Sequence, residues 1–229
     1  MTDALAGPSG AVTRGSVVRV GTATAVSALC GYAVLYLAAR DLEPAGFSVF
    51  GVFWGAFGLA SGAAFGLLQE TTREIRSAMR TSGGAGPAGE RTHPMRVAAG
   101  VGVVAAVLIA ASSPLWSAHV FVESRLLSVV LLSVGLAGFC LHTTLLGALA
   151  GIDRWAEYGA LMVTDAVLRV AVAAATFVVG WGLGGYLWAT VAGSIAWLLM
   201  LLASPATRAA GRLLTAGGTV TFLRGAGHS

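Results

Sequence analysis

The chain has 229 residues, of which 56% are apolar and only 10% are charged, and its mean hydropathy is +0.81. Soluble domains carry about 25% charged residues. A soluble fold of this length is therefore excluded, because it could not bury so much apolar surface. A bilayer accommodates such a chain, since each spanning helix needs about 20 mostly apolar residues. The composition predicts an all-α integral membrane bundle.

Six apolar runs of spanning length follow one another, separated by turn-forming or helix-ending residues such as Pro44, Gly182 and Pro205. They cover residues 20–39, 47–68, 97–116, 126–150, 159–180 and 183–203. The sequence thus predicts about six transmembrane helices. It divides the chain into an N-terminal segment 1–18, a six-helix lobe 19–204 and an amphipathic tail 205–229, with a polar loop at 69–96 inside the lobe.

The distribution of arginine predicts the orientation, because positive charge in short loops stays on the cytoplasmic side. All 14 basic residues are arginine. The side of the membrane that holds the N-terminus carries Arg14, Arg19, Arg73, Arg76, Arg80, Arg91, Arg96, Arg154, Arg208, Arg212 and Arg224. The other side carries Arg40 and Arg125. We expect both termini to be cytoplasmic and the protein to be a multi-pass component of the plasma membrane.

The polar loop has two parts. Its middle, residues 82–89, is rich in glycine and predicts a flexible cytoplasmic segment. The preceding residues are good helix formers, and Glu70 and Glu74 lie within one turn of Arg73 and Arg76. We expect the second helix to continue into water here. The tail, with apolar residues among arginines, could lie on the membrane surface.

A stripe of glycines occupies one side of the second span. At 100° per residue its members fall within an arc of about 80°. Small residues let membrane helices approach closely. Two interpretations stay open, close packing against the first or a later helix and a sliding surface used in conformational change. The stripe consists of Gly51, Gly55, Gly58, Gly62 and Gly66.

Asp165 and Arg169 lie four residues apart in the fifth span, so they share a face and can form an ion pair. Ionisable groups at this depth normally face a bundle interior or a watery cavity. The pair is either structural and near the cytoplasmic end, or it lines a cavity where the arginine meets an anionic ligand such as a phosphate. In the fourth span, His142 is expected to be a buried, hydrogen-bonded imidazole rather than a proton relay.

Motifs for enzymatic chemistry, metal binding or cofactor binding are not recognisable in the sequence. We expect no enzyme activity, no metal and no cofactor. The arginines are spread between apolar spans instead of forming one surface stripe, so nucleic acid is not an expected partner. Arg19 and Arg40 flank the first span and fit the role of interface anchors.

Three sequence stretches point to a known family. They are RVG at 19–21, AARDLEPAGF at 38–47 and QETTRE at 69–74, and LGALAGIDRW at 146–155 adds a further turn. Together they resemble the N-terminal part of polysaccharide transporters, the oligosaccharide flippase branch of the multidrug/oligosaccharidyl-lipid/polysaccharide exporter superfamily. Arg169 matches a recurrent arginine of that family.

The resemblance implies one lobe of a transporter built from two six-helix lobes. The ending FLRGAGHS resembles the lead-in to a seventh helix, so a half-length transporter is expected, with a second lobe from a homodimer or a separate chain. Alternating access would then move a lipid-linked glycan, with membrane lipid as the other partner. The resemblance also implies which residues contact the phosphate or the headgroup. They are Arg19, Arg40, Arg73 and Arg169, with Asp165 modulating the charge of Arg169.

Two other functions contrast with this one. The chain could be a non-transporting membrane scaffold, or a degenerate half-transporter, in envelope polysaccharide biosynthesis. It could also be a drug or cation antiporter of the same superfamily, which requires an unpaired carboxylate in the membrane. Asp165 is the sole candidate for that carboxylate, and Arg169 is its expected partner.

Overall fold

The computed structural model describes residues 14–81, 94–120 and 125–215, and within these ranges all regular structure is helical. The helices are α1 (Arg14–Asp41), α2 (Pro44–Thr81), α3 (Pro94–Val120), α4 (Arg125–Gly151), α5 (Trp155–Val179), α6 (Gly182–Ala192), α7 (Ala196–Ala203) and α8 (Pro205–Thr215). Six segments of the described chain are long and apolar enough to cross a membrane, with α6 and α7 forming one of them. The predicted helical membrane bundle is confirmed.

Two pairs of long helices run side by side in parallel. In the first pair, Ala23 and Ser27 of α1 lie beside Gly159 and Met162 of α5. In the second pair, α2 packs along α4, with its Leu68 beside Gly147 and its Ile75 beside Gly151. Parallel packing between spans one and five, and between spans two and four, agrees with a chain that crosses the membrane alternately up and down.

The start of α1, the end of α2 and the joint between α4 and α5 meet at one end of the lobe. Trp155, at the start of α5, borders cavities lined by residues of α1 and of α2. Arg76 of α2 reaches Asp153 in the joint. Several of the arginines assigned to one side of the membrane thus share one end of the bundle, which is called the arginine-rich end below. Its assignment to the cytoplasm stays a prediction.

The second helix has two faces that differ in side-chain size. Phe50, Phe53 and Phe57 are buried on the inner face. Phe50 contacts Tyr186 of α6, with the ring centroids 5.8 Å apart, and the Tyr186 hydroxyl donates a hydrogen bond of 3.2 Å to the carbonyl of Leu37. Large aromatic contacts therefore join α1, α2 and α6, while the glycine side of α2 faces away from them.

The joints and ends differ in part from the predictions. The second helix runs to Thr81, as expected, so the first thirteen residues of the loop predicted for 69–96 are helical. The glycine-rich segment 82–89 lies outside the described residues, as do 1–13 and 216–229. In α8, Ala210 and Leu214 are fully buried and complete a core cluster with residues of α4. The position of the tail on the membrane surface stays a prediction.

The sixth span is interrupted at its middle. A 3₁₀ turn over Gly193–Ile195 separates α6 from α7, and the Ser194 hydroxyl donates to the carbonyl of Val191 at 2.6 Å. The backbone stays in the right-handed helical region through this turn, so the predicted single span over 183–203 is confirmed. A 3₁₀ stretch inside a helix often marks a functional position, and this one was not predicted.

Candidate functional site

An ion pair occupies the middle of the fifth span. Arg169 Nε and Nη2 donate to the two carboxylate oxygens of Asp165 at 3.1 and 3.0 Å. The two side chains are only 14% and 18% exposed, and the guanidinium lies 5.4 Å from the centre of the Phe57 ring. The pair that the four-residue spacing predicts is formed, but it lies near the middle of α5 rather than near its end.

The ion pair rests against the break in the sixth span. A Cβ atom built on Gly193 would overlap the Asp165 carboxylate and lie 2.5 Å from Arg169 Nε. Only a residue without a side chain lets the backbone come this close. Ionisable groups inside a membrane span usually face the bundle interior or a watery cavity, and they often mark substrate or ion pathways. Sequence reasoning missed Gly193 because it belongs to no stripe.

His142 places a buried polar atom without a described hydrogen-bond partner near the Asp165–Arg169 ion pair. Its ring is buried and stacks on Phe139, with centroids 5.6 Å apart and planes 13° apart. The imidazole interacts electrostatically with both Asp165 and Arg169. Nδ1 finds no hydrogen-bond partner among the described residues, so the expectation of a hydrogen-bonded imidazole is wrong for this atom. In the described part of the chain, no three His, Cys, Asp or Glu side chains form a metal-binding group.

A cavity of about 650 Å³ opens at the arginine-rich end, between the extension of α2 and the joint of α4 with α5. Its polar lining includes Arg73, Arg76 and Arg80, and its aromatic lining is Trp155 and Tyr158. Of these residues, only Arg73 has a binding role that the sequence predicts. The spacing of 73, 76 and 80 places all three arginines on one helical face, which is the signal that could have revealed the cluster.

Arg76 is the one arginine of this cavity with an ion pair among the described residues. It donates to the carbonyl of Ala150 at 3.2 Å and to the Asp153 carboxylate at 3.4 Å. The expected ion pairs with Glu70 and Glu74 are not formed. Among the described residues, no ion pair joins a carboxylate to Arg73 or to Arg80.

The four arginines predicted to contact phosphate do not form one site. Arg19 and Arg73 lie at the arginine-rich end, Arg40 lies in the last turn of α1 at the opposite end, and Arg169 lies between the two ends. Arg19, Arg40 and Arg73 are exposed, whereas Arg169 is mostly buried. A single ligand headgroup could not reach all four at once in this conformation.

The glycine stripe of α2 packs against nothing in the described chain. A Cβ atom built on each of its five glycines would meet no neighbouring atom within 4 Å. The expectation that the stripe packs against the first or a later helix of this lobe is therefore wrong. The aromatic face of α2 supplies the contacts inside the lobe, and the glycine face is left open. The stripe consists of Gly51, Gly55, Gly58, Gly62 and Gly66.

Comparison with known proteins finds proteins that are similar in sequence and a solved structure that is similar in fold. No protein-family model matches the chain. Two similar proteins of Mycobacterium tuberculosis, both uncharacterized, are Rv3630, 70% identical over 220 residues, and Rv1510, 65% identical over 231 residues. The matches cover 96% and 100% of this chain but 51% and 53% of those proteins. The chain thus spans about half the length of the curated relatives it matches.

A solved structure shares the fold. It is a transporter of the MOP superfamily from Pyrococcus furiosus, whose binding pocket is described as having reversed polarity. The TM-score is 0.62 and the sequence identity is 19%, over 81% of this chain and 43% of that one. At this identity the likeness is one of fold. The chain therefore shares its helical architecture with a part of that transporter.

Proposed function

We propose that the chain is one half of a transporter that moves a lipid-linked oligosaccharide or polysaccharide precursor across the plasma membrane. The observation that carries the proposal is the six-span lobe, which matches less than half of a MOP superfamily transporter. The relatives of twice the length support the same conclusion. A second lobe would complete the substrate path.

The ion pair of α5 supports transport over the other two functions. An antiporter needs a membrane carboxylate that is free to bind a cation, yet both oxygens of Asp165 accept hydrogen bonds from Arg169. A scaffold has no need of a charged pair set against an interrupted helix. In the proposed transporter, Arg169 meets the anionic part of the substrate as the two lobes move, and Asp165 holds its guanidinium in place.

A transport assay with a stable charge-free variant tests this function. We expect the double variant D165L/R169M to fold but to lose export of the polymer, because the mid-membrane charge is gone. The measurement is the amount of surface polysaccharide in cells that depend on the full protein, with membrane levels of the variant checked by immunoblot. R208Q, which removes an exposed charge on α8, serves as the matched control. Normal export by D165L/R169M at normal levels would favour the scaffold.

The second lobe can be captured directly. The open glycine face of α2 finds no partner among the described residues of this lobe, so we expect it to contact the second lobe in part of the transport cycle. A photo-reactive amino acid at Gly58, on this face, should cross-link to a segment of six further spans, identified by mass spectrometry. The same group at Phe53, on the buried face of α2, should cross-link within this chain. Identical products from both positions would contradict the expectation.

A further inference from the structure

The cavity at the arginine-rich end carries an unbalanced positive charge. Among the described residues, three arginines line it and no acidic residue does. Asp153 lies opposite Arg76 and compensates one of them. Arg73 and Arg80 keep about two positive charges on the wall, a number that matches the charge of −1.5 to −2 on a phosphomonoester at neutral pH. Arginine is also the side chain best suited to bind phosphate with two parallel hydrogen bonds.

The wall that bears these arginines is held in place by its contacts with α4. The Thr72 hydroxyl donates to the carbonyls of Leu68 and Gly147 at 2.8 and 3.1 Å. Arg73 and Arg80 stand two turns apart on one face, about 10 Å along the helix axis, and Arg76 lies between them. On the opposite wall, Trp155 and Tyr158 contact each other, with ring centroids 5.8 Å apart. Aromatic rings of this kind suit the boundary between the polar and apolar parts of a membrane.

The glycine face leads directly to this cavity. At 100° per residue, Arg73, Arg76 and Arg80 fall in the same arc of about 80° as the glycine stripe. The open strip of helix surface therefore continues from the membrane-spanning part of α2 into the arginine cluster. A lipid whose phosphate lies at the arginines can place its apolar chain along this strip, since no described residue covers it.

We infer that Arg73, Arg76 and Arg80, with Trp155 and Tyr158, form a binding site for a phosphate group at the end of a membrane lipid. The site deepens the proposed function, on which its role as an entry point for the substrate rests. The lobe would collect the phosphate headgroup here before the substrate reaches the mid-membrane ion pair. A free phosphate or pyrophosphate anion could bind to the same residues. The experiment distinguishes such an anion from a lipid phosphate.

The test measures binding, not transport, on the full chain in a nonionic detergent. Isothermal titration calorimetry is run with dioctanoyl phosphatidic acid, with inorganic pyrophosphate and with dioctanoyl glycerol, which lacks the phosphate. We expect phosphatidic acid to bind and dioctanoyl glycerol not to bind. The variant R73Q/R80Q should bind phosphatidic acid at least about tenfold more weakly, because hydrogen bonds to charged groups are lost. Both side chains are exposed, so this variant is expected to fold normally.

The double variant R14Q/R208Q is the matched control, since it removes two exposed charges that line no part of this cavity. Equal weakening by R14Q/R208Q and R73Q/R80Q would overturn the site, as would unchanged binding by R73Q/R80Q. Pyrophosphate binding that equals phosphatidic acid binding, and that depends on the same arginines, would keep the phosphate site and overturn its lipid. If D165L/R169M loses transport but still binds phosphatidic acid, the binding site and the transport role of the ion pair are independent of each other.

Discussion

Replacing Asp165 with asparagine is expected to destabilise the lobe by about 3–5 kcal/mol, because removing one member of a buried ion pair leaves the other charge uncompensated. The Asp165 carboxylate accepts two hydrogen bonds from Arg169, and both side chains are mostly buried. Arg169→Gln should have an effect of the same order. The measurement is the unfolding transition in detergent, followed by the helical signal in circular dichroism.

The double variant D165L/R169M is expected to recover most of this loss. Replacing a whole buried pair by apolar residues of similar volume is often neutral or stabilising, and the Phe57 ring beneath the guanidinium offers an apolar contact. Two single variants that each destabilise, with a double variant close to the parent protein, would show that the pair is coupled. Additive losses in the double variant would contradict the pairing seen in the structure.

This comparison also separates the two roles that the sequence left open for the pair. A structural pair can be replaced by apolar residues without loss of function, whereas a pair that meets an anionic substrate cannot. Stability that recovers while export stays lost would therefore assign Arg169 to the substrate path. Recovery of both stability and export would show that the pair has a structural role only.

The positions of the six spans could be predicted because the bilayer sets their length. Each run of about 20 apolar residues has one stable state in lipid, with its backbone hydrogen-bonded in a helix. The pairing of Asp165 with Arg169 was predictable for a similar reason, since four residues make one turn of a helix whatever surrounds it. Both features depend on local geometry alone.

The partners of each helix face could not be predicted from the pattern. The stripe of small residues shows which side of α2 allows close approach, but not whether a helix approaches it. In the structure that side is open, and the close contacts fall on glycines outside the stripe, such as Gly135, Gly147 and Gly193. The arginine-lined cavity could not be predicted for the same reason, because Arg73 and Trp155 line one cavity only through the packing of α2 against α4.

Substituting Gly147 with alanine is the second change expected to have a large effect. A Cβ atom there would lie 2.6 Å from the carbonyl oxygen of Leu68 and 2.9 Å from the Thr71 side chain. The first of these atoms belongs to the backbone of α2 and cannot turn away. Overpacking of this kind costs about 1–3 kcal/mol. The hydrogen bond from the Thr72 hydroxyl to the Gly147 carbonyl would also lengthen as the two helices separate.

Gly62→Ala is the matched control and should not lower the stability. Nothing lies within 4 Å of a Cβ atom at this position, and alanine is the better helix former by about 1 kcal/mol. We therefore expect G147A to lower the unfolding temperature in detergent and G62A to leave it unchanged or raise it. Since both changes add the same methyl group to a glycine in a spanning helix, their difference reports the packing alone. Destabilisation by G62A as large as that by G147A would mean that the glycine face is covered within the isolated chain.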